Sequence, residues 1–247
     1  MELILDFDGV ICDSRHECML TSWHAFQIIA NGYPIMDYPE IPIPDRLAAV
    51  FLEYRYLVLR ADGYYFLWED ILAERNPDNA KWEFAANQKK LQSFLDTFFS
   101  FRDRWRQSKK HEWLKQNPLY PGFLSLKNTV IDTSDYYIVS AKDESSIASI
   151  LEYNQLPISS ERIYGNSYPS KKTCFAMLKE RGISEALFID DNIANLDVAR
   201  NAGYSTALAR WGYIGPETTR FAEKQGIWIF TLTGFLNHVK SQFPNKQ

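Results

Sequence analysis

The sequence lacks most of what would place it in a membrane or outside a cell. It holds three cysteines, Cys12, Cys18 and Cys174. That odd number, without paired zinc-ligand spacing, reads as reduced thiols in a cytoplasmic protein rather than a disulfide framework. No stretch approaches the roughly 20 apolar residues that a membrane-spanning helix needs. The opening run Met1-Glu2-Leu3-Ile4-Leu5-Asp6 turns acidic at once and is too short for a signal peptide. Basic charge is not in excess either: 27 Lys and Arg stand against 31 Asp and Glu, a net charge of −4. This argues against a nucleic-acid partner, which would call for a basic stripe. No internal repeat and no low-complexity stretch is present. The expectation is a soluble, cytoplasmic protein with neither a nucleic-acid nor a membrane partner.

What is present is ample core-forming material. Of 247 residues, 46% are apolar and 15% aromatic, enough for one large domain or two. Leu3-Ile4-Leu5 is continuous and apolar, as in a strand buried on both faces of a parallel sheet. It runs into Asp6-Phe7-Asp8-Gly9, after which Ser14 and Glu17 have the spacing of a capping box. That box predicts a helix toward Ile29, stopped by Asn31-Gly32. From about Tyr33 to Asn117 the pattern turns helical after a loop punctuated by Pro34, Pro39, Pro42 and Pro44. Helices are expected over Asp45–Arg60, Tyr64–Arg75 and Asn79 to about Gln107, where Leu91, Phe94, Leu95, Phe98 and Phe99 recur at three- and four-residue steps. Past Pro118, short apolar runs alternate with helices. Strands are expected at Tyr136–Val139, Arg162–Tyr164, Ala186–Ile189, Thr206–Leu208 and Ile227–Phe230. The first three are followed by helices near Ser145–Tyr153, Ser170–Arg181 and Ala194–Ala202, with Gly203 as a stop. Repeated strand–helix units mean an α/β fold: a Rossmann-like parallel sheet. The expected division is a core of residues 1–15 and 118–247, with an all-helical domain, residues 16–117, inserted into it.

In such sheets, sites form beyond the carboxyl ends of the strands. Asp6 and Asp8 follow the first strand, Ser140 the second, and Asp190-Asp191 a later one, while Lys171 opens the helix after the Arg162 strand. All should converge at one edge of the sheet. Carboxylates favour hard cations such as Mg²⁺, which typically takes one or two of them plus water and substrate phosphate. An Asp carboxylate can attack phosphorus, a second can move the proton, and a lysine can neutralise phosphate charge. Each residue also has a plainer reading on its own. Ser140 and Asp190 are the kind of residue that caps helices, and a lysine such as Lys171 or Lys172 is ordinarily a solvated surface charge. The series in order gives them weight.

Asp6-Phe7-Asp8-Gly9-Val10-Ile11-Cys12-Asp13-Ser14 resembles the first motif of the haloacid dehalogenase superfamily. Ile138-Val139-Ser140 resembles its second motif and Lys171 in Pro169-Ser170-Lys171-Lys172 its third. Leu187-Phe188-Ile189-Asp190-Asp191, with Asn195 and Gly203, resembles its fourth. The resemblance covers the whole non-inserted part of the chain. It implies Asp6 as nucleophile and Asp8 as general acid/base that also offers its backbone carbonyl to Mg²⁺. It implies Ser140, Ala141 and Lys171 at the phosphate, and Asp191 with Asp190 at the metal. Lys172 is the alternative to Lys171, although the spacing to Phe175 and Leu178 favours Lys171. The insertion resembles the helical cap of the subfamily containing phosphoglycolate phosphatase and β-phosphoglucomutase, and Trp211-Gly212-Tyr213 resembles the C-terminal part of the former's relatives.

Departures from the pattern sharpen the expectation. Asp8 has no counterpart in true dehalogenases, so it points to phosphate rather than carbon–halogen chemistry. Cys18 stands where mutases of this kind carry histidine, and Ala141 where asparagine is common. The resemblance therefore implies a Mg²⁺-dependent phosphatase for a small phosphorylated metabolite, acting as a monomer or homodimer. A phosphomutase and a non-catalytic protein retaining the fold are the rival readings. Arg55 and Arg60 are candidates to contact an anionic substrate. Tyr54, Tyr56, Tyr64, Tyr65, Phe66 and Trp68 are expected mainly as core of the inserted domain.

Overall fold

The computed structural model describes residues 2–126 and 136–242. The chain divides into two compact units, one of Met1–Asp13 with Pro118–Gln247, the other Ser14–Asn117. Among the described residues no helix is long and apolar enough to cross a membrane.

Among the described residues the first unit is built on six parallel strands: β1 (Glu2–Leu5), β2 (Tyr136–Val139), β3 (Ile163–Tyr164), β4 (Ala186–Asp190), β5 (Ser205–Ala209) and β6 (Trp228–Phe230). Their order across the sheet is β3-β2-β1-β4-β5-β6, the α/β arrangement expected from the alternating pattern. β1 is flanked by β2, with Leu5 opposite Ile138, and by β4, with Leu5 opposite Ile189. The chain leaves β1 in one direction for β2 and β3 and returns on the other side for β4 to β6. The crevice beyond β1 and β4 is therefore the topological switch point, where α/β sheets bind ligands. All five residues of β4 are buried, as a central parallel strand covered on both faces requires. The helices joining and following the strands are α6 (Glu144–Tyr153), α7 (Lys171–Glu180), α8 (Ile193–Asn201), α9 (Thr218–Lys224) and α10 (Leu232–Gln242). Phe175, Leu178, Phe188, Leu196 and Leu208 sit in the core they form with the sheet. α8 stops before Gly203, which takes φ +85°, a left-handed conformation that glycine adopts without steric penalty.

The second unit is all-helical: α1 (Arg15–Asn31), α2 (Asp45–Tyr54), α3 (Gly63–Leu72), α4 (Gln88–Ser108) and α5 (Lys110–Lys115). α1 packs chiefly on α4 and also touches α2 and α3. It ends as its sequence predicts, with Gly32 at φ +67° and its N–H returned to Ile28 O. Leu91, Phe94, Phe98, Phe101 and Trp105 form the buried stripe of α4, while Phe99 lies off that stripe and is 42% exposed. Phe51 stacks on Trp68 with centroids 4.7 Å apart and on Tyr64 at 5.7 Å. Tyr64, Tyr65, Phe66 and Trp68 are buried core, and Tyr54 and Tyr56 are half-buried.

Three expectations need correcting. The Ser14–Glu17 capping box is not built as its spacing predicts. Ser14 makes no side-chain capping bond, and Glu17 is drawn into a buried two-point ion pair with Arg102 at 2.8 and 2.9 Å. The helix expected from Asn79 begins only at Gln88, because Trp82 anchors the preceding segment. Its indole donates to Asp70 at 2.9 Å and its ring stacks on Phe66. Finally, α9 and α10 lie where no helix was expected, although Leu232, Phe235, Leu236 and Val239 recur in α10 at helical spacing.

Candidate active site

Asp6 leaves β1 with its backbone still in the sheet, its N–H donating to Ile189 O at 2.9 Å. The chain then folds tightly, and Phe7 O accepts the N–H groups of Val10, Ile11 and Cys12. Gly9, at φ +86°, makes this turn possible. The same position is closed to a side chain by its neighbours: a Cβ there would run into the Asp191 carboxylate, 2.8 Å from its Cγ.

Asp6, Asp190 and Asp191 are all buried, each offering an oxygen within 4.8 Å of the others. Lys171, at the first position of α7, projects into this cluster with Nζ 2.9 Å from Asp6 Oδ1 and 2.7 Å from Asp190 Oδ2. Lys172, its neighbour, is exposed, so of the two alternatives it is Lys171 that reaches the carboxylates. Burial pushes the Asp6 pKa up to about 7; the Asp190 and Asp8 charges add to the rise and the Lys171 ammonium opposes it. Burial alone would lower the Lys171 pKa, but the Asp190 and Asp6 carboxylates override it and hold the ammonium above its ordinary value.

Asp190 does not cap α8. Asn192 does, its side chain accepting from Ala194 N at 2.9 Å, while Asp190 Oδ1 accepts from Asn192 N at 2.8 Å. Asp191 is gripped from the loop after β5. Tyr213 N donates to its Oδ2 at 2.6 Å. Gly212 passes so close that a Cβ there would lie 2.6 Å from the same oxygen and 2.5 Å from Gly9 O. The Trp211 indole donates to Val10 O at 2.9 Å, and the Tyr213 hydroxyl to Cys12 O at 3.4 Å. Trp211-Gly212-Tyr213 thus fastens the loop after β1 and the Asp191 carboxylate together.

Ser140 follows β2 and is buried, Ala141 is exposed, and Lys142 is buried. Lys142 is the residue that sequence reasoning missed. Its Nζ lies 3.1 and 3.3 Å from the two oxygens of Asp8. Its signal in the sequence was slight: a lysine three residues beyond an apolar strand that ends at the site edge. Asp6, Asp8, Ser140, Lys171, Asp190 and Asp191 therefore all stand at or just beyond the strands' carboxyl ends. Arg55 and Arg60 belong to the helical unit. There Arg55 donates to Val58 O and lies over the Tyr64 ring, and Arg60 pairs with Asp62 at 2.7 Å.

The donor set fits a divalent cation. Among these side chains, Asp6, Asp8, Asp190 and Asp191 bring four carboxylates and Lys171 and Lys142 two ammonium groups. The ligand atoms are hard oxygens, of the kind Mg²⁺ prefers.

No protein-family model matches the chain, and no curated protein does. Solved structures do. A haloacid dehalogenase-like family hydrolase from Streptococcus pneumoniae superposes with a TM-score of 0.61 at 14% identity, covering 97% of both chains. A predicted phosphoglycolate phosphatase from Haemophilus somnus gives 0.62 at 17%, covering 98% of both. A predicted phosphatase from Clostridium acetobutylicum gives 0.58 at 15%, again over 98% of both. At these identities the likeness establishes the fold, that of haloacid dehalogenase-like hydrolases over nearly the full chain.

Proposed function

We propose that this protein is a Mg²⁺-dependent phosphatase of the haloacid dehalogenase-like type, hydrolysing a small phosphorylated metabolite through an aspartyl-phosphate on Asp6. The observation that carries the reading is the convergence at the switch point of the sheet of Asp6, Asp190 and Asp191, with oxygens within 4.8 Å of one another, and of Lys171, bonded to Asp6 and Asp190. The fold's solved relatives, hydrolases and phosphatases by description, support it.

In this proposal an Asp6 carboxylate oxygen attacks phosphorus, and the ester oxygen departs with a proton from Asp8. Asp8 then takes a proton from water as that water attacks phosphorus, releasing inorganic phosphate and restoring Asp6. Lys171 and the Ser140 hydroxyl hold the phosphoryl oxygens, and Lys171 keeps the nucleophile oriented from its place against Asp6. Asp6, Asp191 and the Asp8 carbonyl would hold Mg²⁺, with Asp190 behind them. The bound metal neutralises the phosphoryl charge. Ala141, next to Ser140, is assigned to the phosphate through its backbone N–H. The helical unit is assigned the choice of substrate. A cytoplasmic location belongs to the same proposal: Cys12, Cys18 and Cys174 are buried thiols outside any disulfide, the form a reducing compartment maintains.

Purified protein with Mg²⁺ should hydrolyse an aryl phosphate, lose that activity to a chelator and regain it on adding Mg²⁺. Asp6→Asn should lower the rate by orders of magnitude; turnover in the variant equal to wild type would remove Asp6 from the mechanism. A panel of sugar phosphates, phosphoglycolate, nucleotides and phospho-amino acids then identifies the substrate.

A further inference from the structure

We infer that Lys142 is a positioning residue for the leaving-group step, its buried ammonium fixing the Asp8 carboxylate in the orientation from which it serves the departing oxygen. The inference rests on the phosphatase reading. It starts from an asymmetry: the Lys142 side chain is 1% exposed, whereas the Asp8 side chain it meets is 25% exposed. A lysine that needed only solvation would send its ammonium to water along its flexible stem. Lys142 instead withdraws it from solvent, which is unfavourable unless a carboxylate is there to pair with it. The ammonium contacts both Asp8 oxygens, at 3.1 and 3.3 Å. A partly exposed carboxylate is free to turn; one held at both oxygens is not.

The base of the lysine is fixed as well. Its N–H donates to Ser140 Oγ at 3.3 Å, and its carbonyl accepts from Asn166 N at 3.2 Å. Gly165 lies so close that a Cβ there would be 2.5 Å from the Lys142 carbonyl. Gly165 N in turn donates to Glu144 at 3.1 Å, tying the loop after β3 to the start of α6. The ammonium is thus delivered from an anchored backbone. The two cations also divide the site between them, Lys171 standing on Asp6 and Asp190 and Lys142 on Asp8.

In the first step the Asp6 O–P bond forms as the ester O–P bond breaks, and the ester oxygen takes the Asp8 proton. Asp8 is left as a carboxylate. Lys142 receives that carboxylate and holds it facing the phosphoryl group until it removes a proton from the attacking water. Loss of Lys142 therefore hurts most where the leaving oxygen needs its proton.

The test is a series of phosphate esters graded by leaving group, from dinitrophenyl, which departs unprotonated, to simple alkyl. They are assayed with wild type, Lys142→Met, Lys142→Arg, Asp8→Ala and the Lys142→Met/Asp8→Ala double variant. If Lys142→Met does not fold, by melting and circular dichroism, Lys142→Gln takes its place. General acid–base catalysis contributes roughly 10²- to 10⁴-fold. Lys142→Met should therefore lose at least about 100-fold in kcat/KM on alkyl phosphates and less than about 3-fold on the dinitrophenyl ester. Arginine, which can also span both carboxylate oxygens, should recover much of that loss. Little further loss should appear when Lys142→Met is added to Asp8→Ala. An equal loss across all leaving groups, or effects that add in full with Asp8→Ala, overturns the inference while leaving the phosphatase reading intact. A wild type that turns over none of the esters overturns the phosphatase reading and this inference with it.

Discussion

Gly212→Ala is the substitution whose consequences the structure defines most closely. A methyl at 212 would sit 2.5 Å from Gly9 O and 2.6 Å from Asp191 Oδ2, where ordinary van der Waals contact begins near 3.4 Å. Neither neighbour is the loose end of a long side chain. One is backbone in the turn after the proposed nucleophile, and the other is a carboxylate already held by Tyr213 N at 2.6 Å. The methyl would also meet the Asp191 Cβ, which no side-chain torsion moves, so about 1 Å of displacement must come from the backbone carrying Gly212 or Asp191, and the carboxylate shifts with it. Overpacking of this kind costs about 1–3 kcal/mol of stability. Disturbing the shell that orients a metal ligand typically lowers metal affinity about 10- to 100-fold. Calorimetric titration of Mg²⁺ into the substrate-free variant, alongside its melting temperature, measures both. Tyr213→Phe is the matched control. It keeps the backbone N–H on Asp191 and gives up the 3.4 Å hydroxyl contact to Cys12 O, so its Mg²⁺ affinity should stay within about 3-fold of wild type. A Gly212→Ala protein that binds Mg²⁺ as tightly as wild type would refute the assignment of Asp191 and the Trp211–Tyr213 segment to one metal-orienting assembly.

Other consequences concern the helical unit and the nucleophile's partner. Arg102→Met leaves the fully buried Glu17 carboxylate without its two-point partner and should destabilise the protein by about 3–5 kcal/mol in urea unfolding. Pairing it with Glu17→Leu should recover a large part, and a double variant no better than the single would show that the ion pair is not the cause. His24 is held neutral by geometry: its Nε2 accepts the N–H groups of Glu40 and Ile41 at 2.9 Å, so its Nδ1 carries the hydrogen donated to Leu20 O at 2.8 Å. Burial lowers its pKa below 6.5, outweighing the opposite pull of Leu20 O and Glu40. Its contribution is thus complete above pH 6.5 and is lost as pH falls through the lower folded value. Melting temperatures followed from about pH 7.5 down to about pH 5 should fall more steeply for wild type than for His24→Gln, and parallel curves would exclude His24 as the source. Lys171→Met should lower kcat on an aryl phosphate by about 100-fold or more, the scale on which removing one preorganised charge-stabilising group acts, whereas Lys172→Met, at an exposed position, should change it by less than about 2-fold.

The sequence displayed the parts of this protein governed by period and by strand ends. Leu3-Ile4-Leu5 and Ala186–Ile189 are continuous apolar runs because central parallel strands bury both faces, and the polar residues that end them lie at the sheet edge by topology. What escaped the reading depends on partners distant in sequence. Glu17 has capping-box spacing, yet Arg102, 85 residues away, offers its buried carboxylate a stronger partner. Trp82 holds the segment before Gln88 out of the long α-helix through contacts with Asp70 and Phe66 that no local window contains. Lys142 looks like any solvated lysine until β1 and β2 lie side by side and bring Asp8 to it. Asn192 rather than Asp190 caps α8 because Asp190 is already committed to Lys171.

The central claim is covalent chemistry on Asp6, and trapping the intermediate tests it most directly. Protein mixed with a turned-over phosphate ester and Mg²⁺, quenched within milliseconds and reduced with borohydride, should yield homoserine in place of aspartate at position 6, in an amount that rises before steady-state product release. Asp6→Asn should yield none. Product formation in wild type with position 6 unmodified at every quench time, or the modification found on Asp8 or Asp190 instead, would contradict the account.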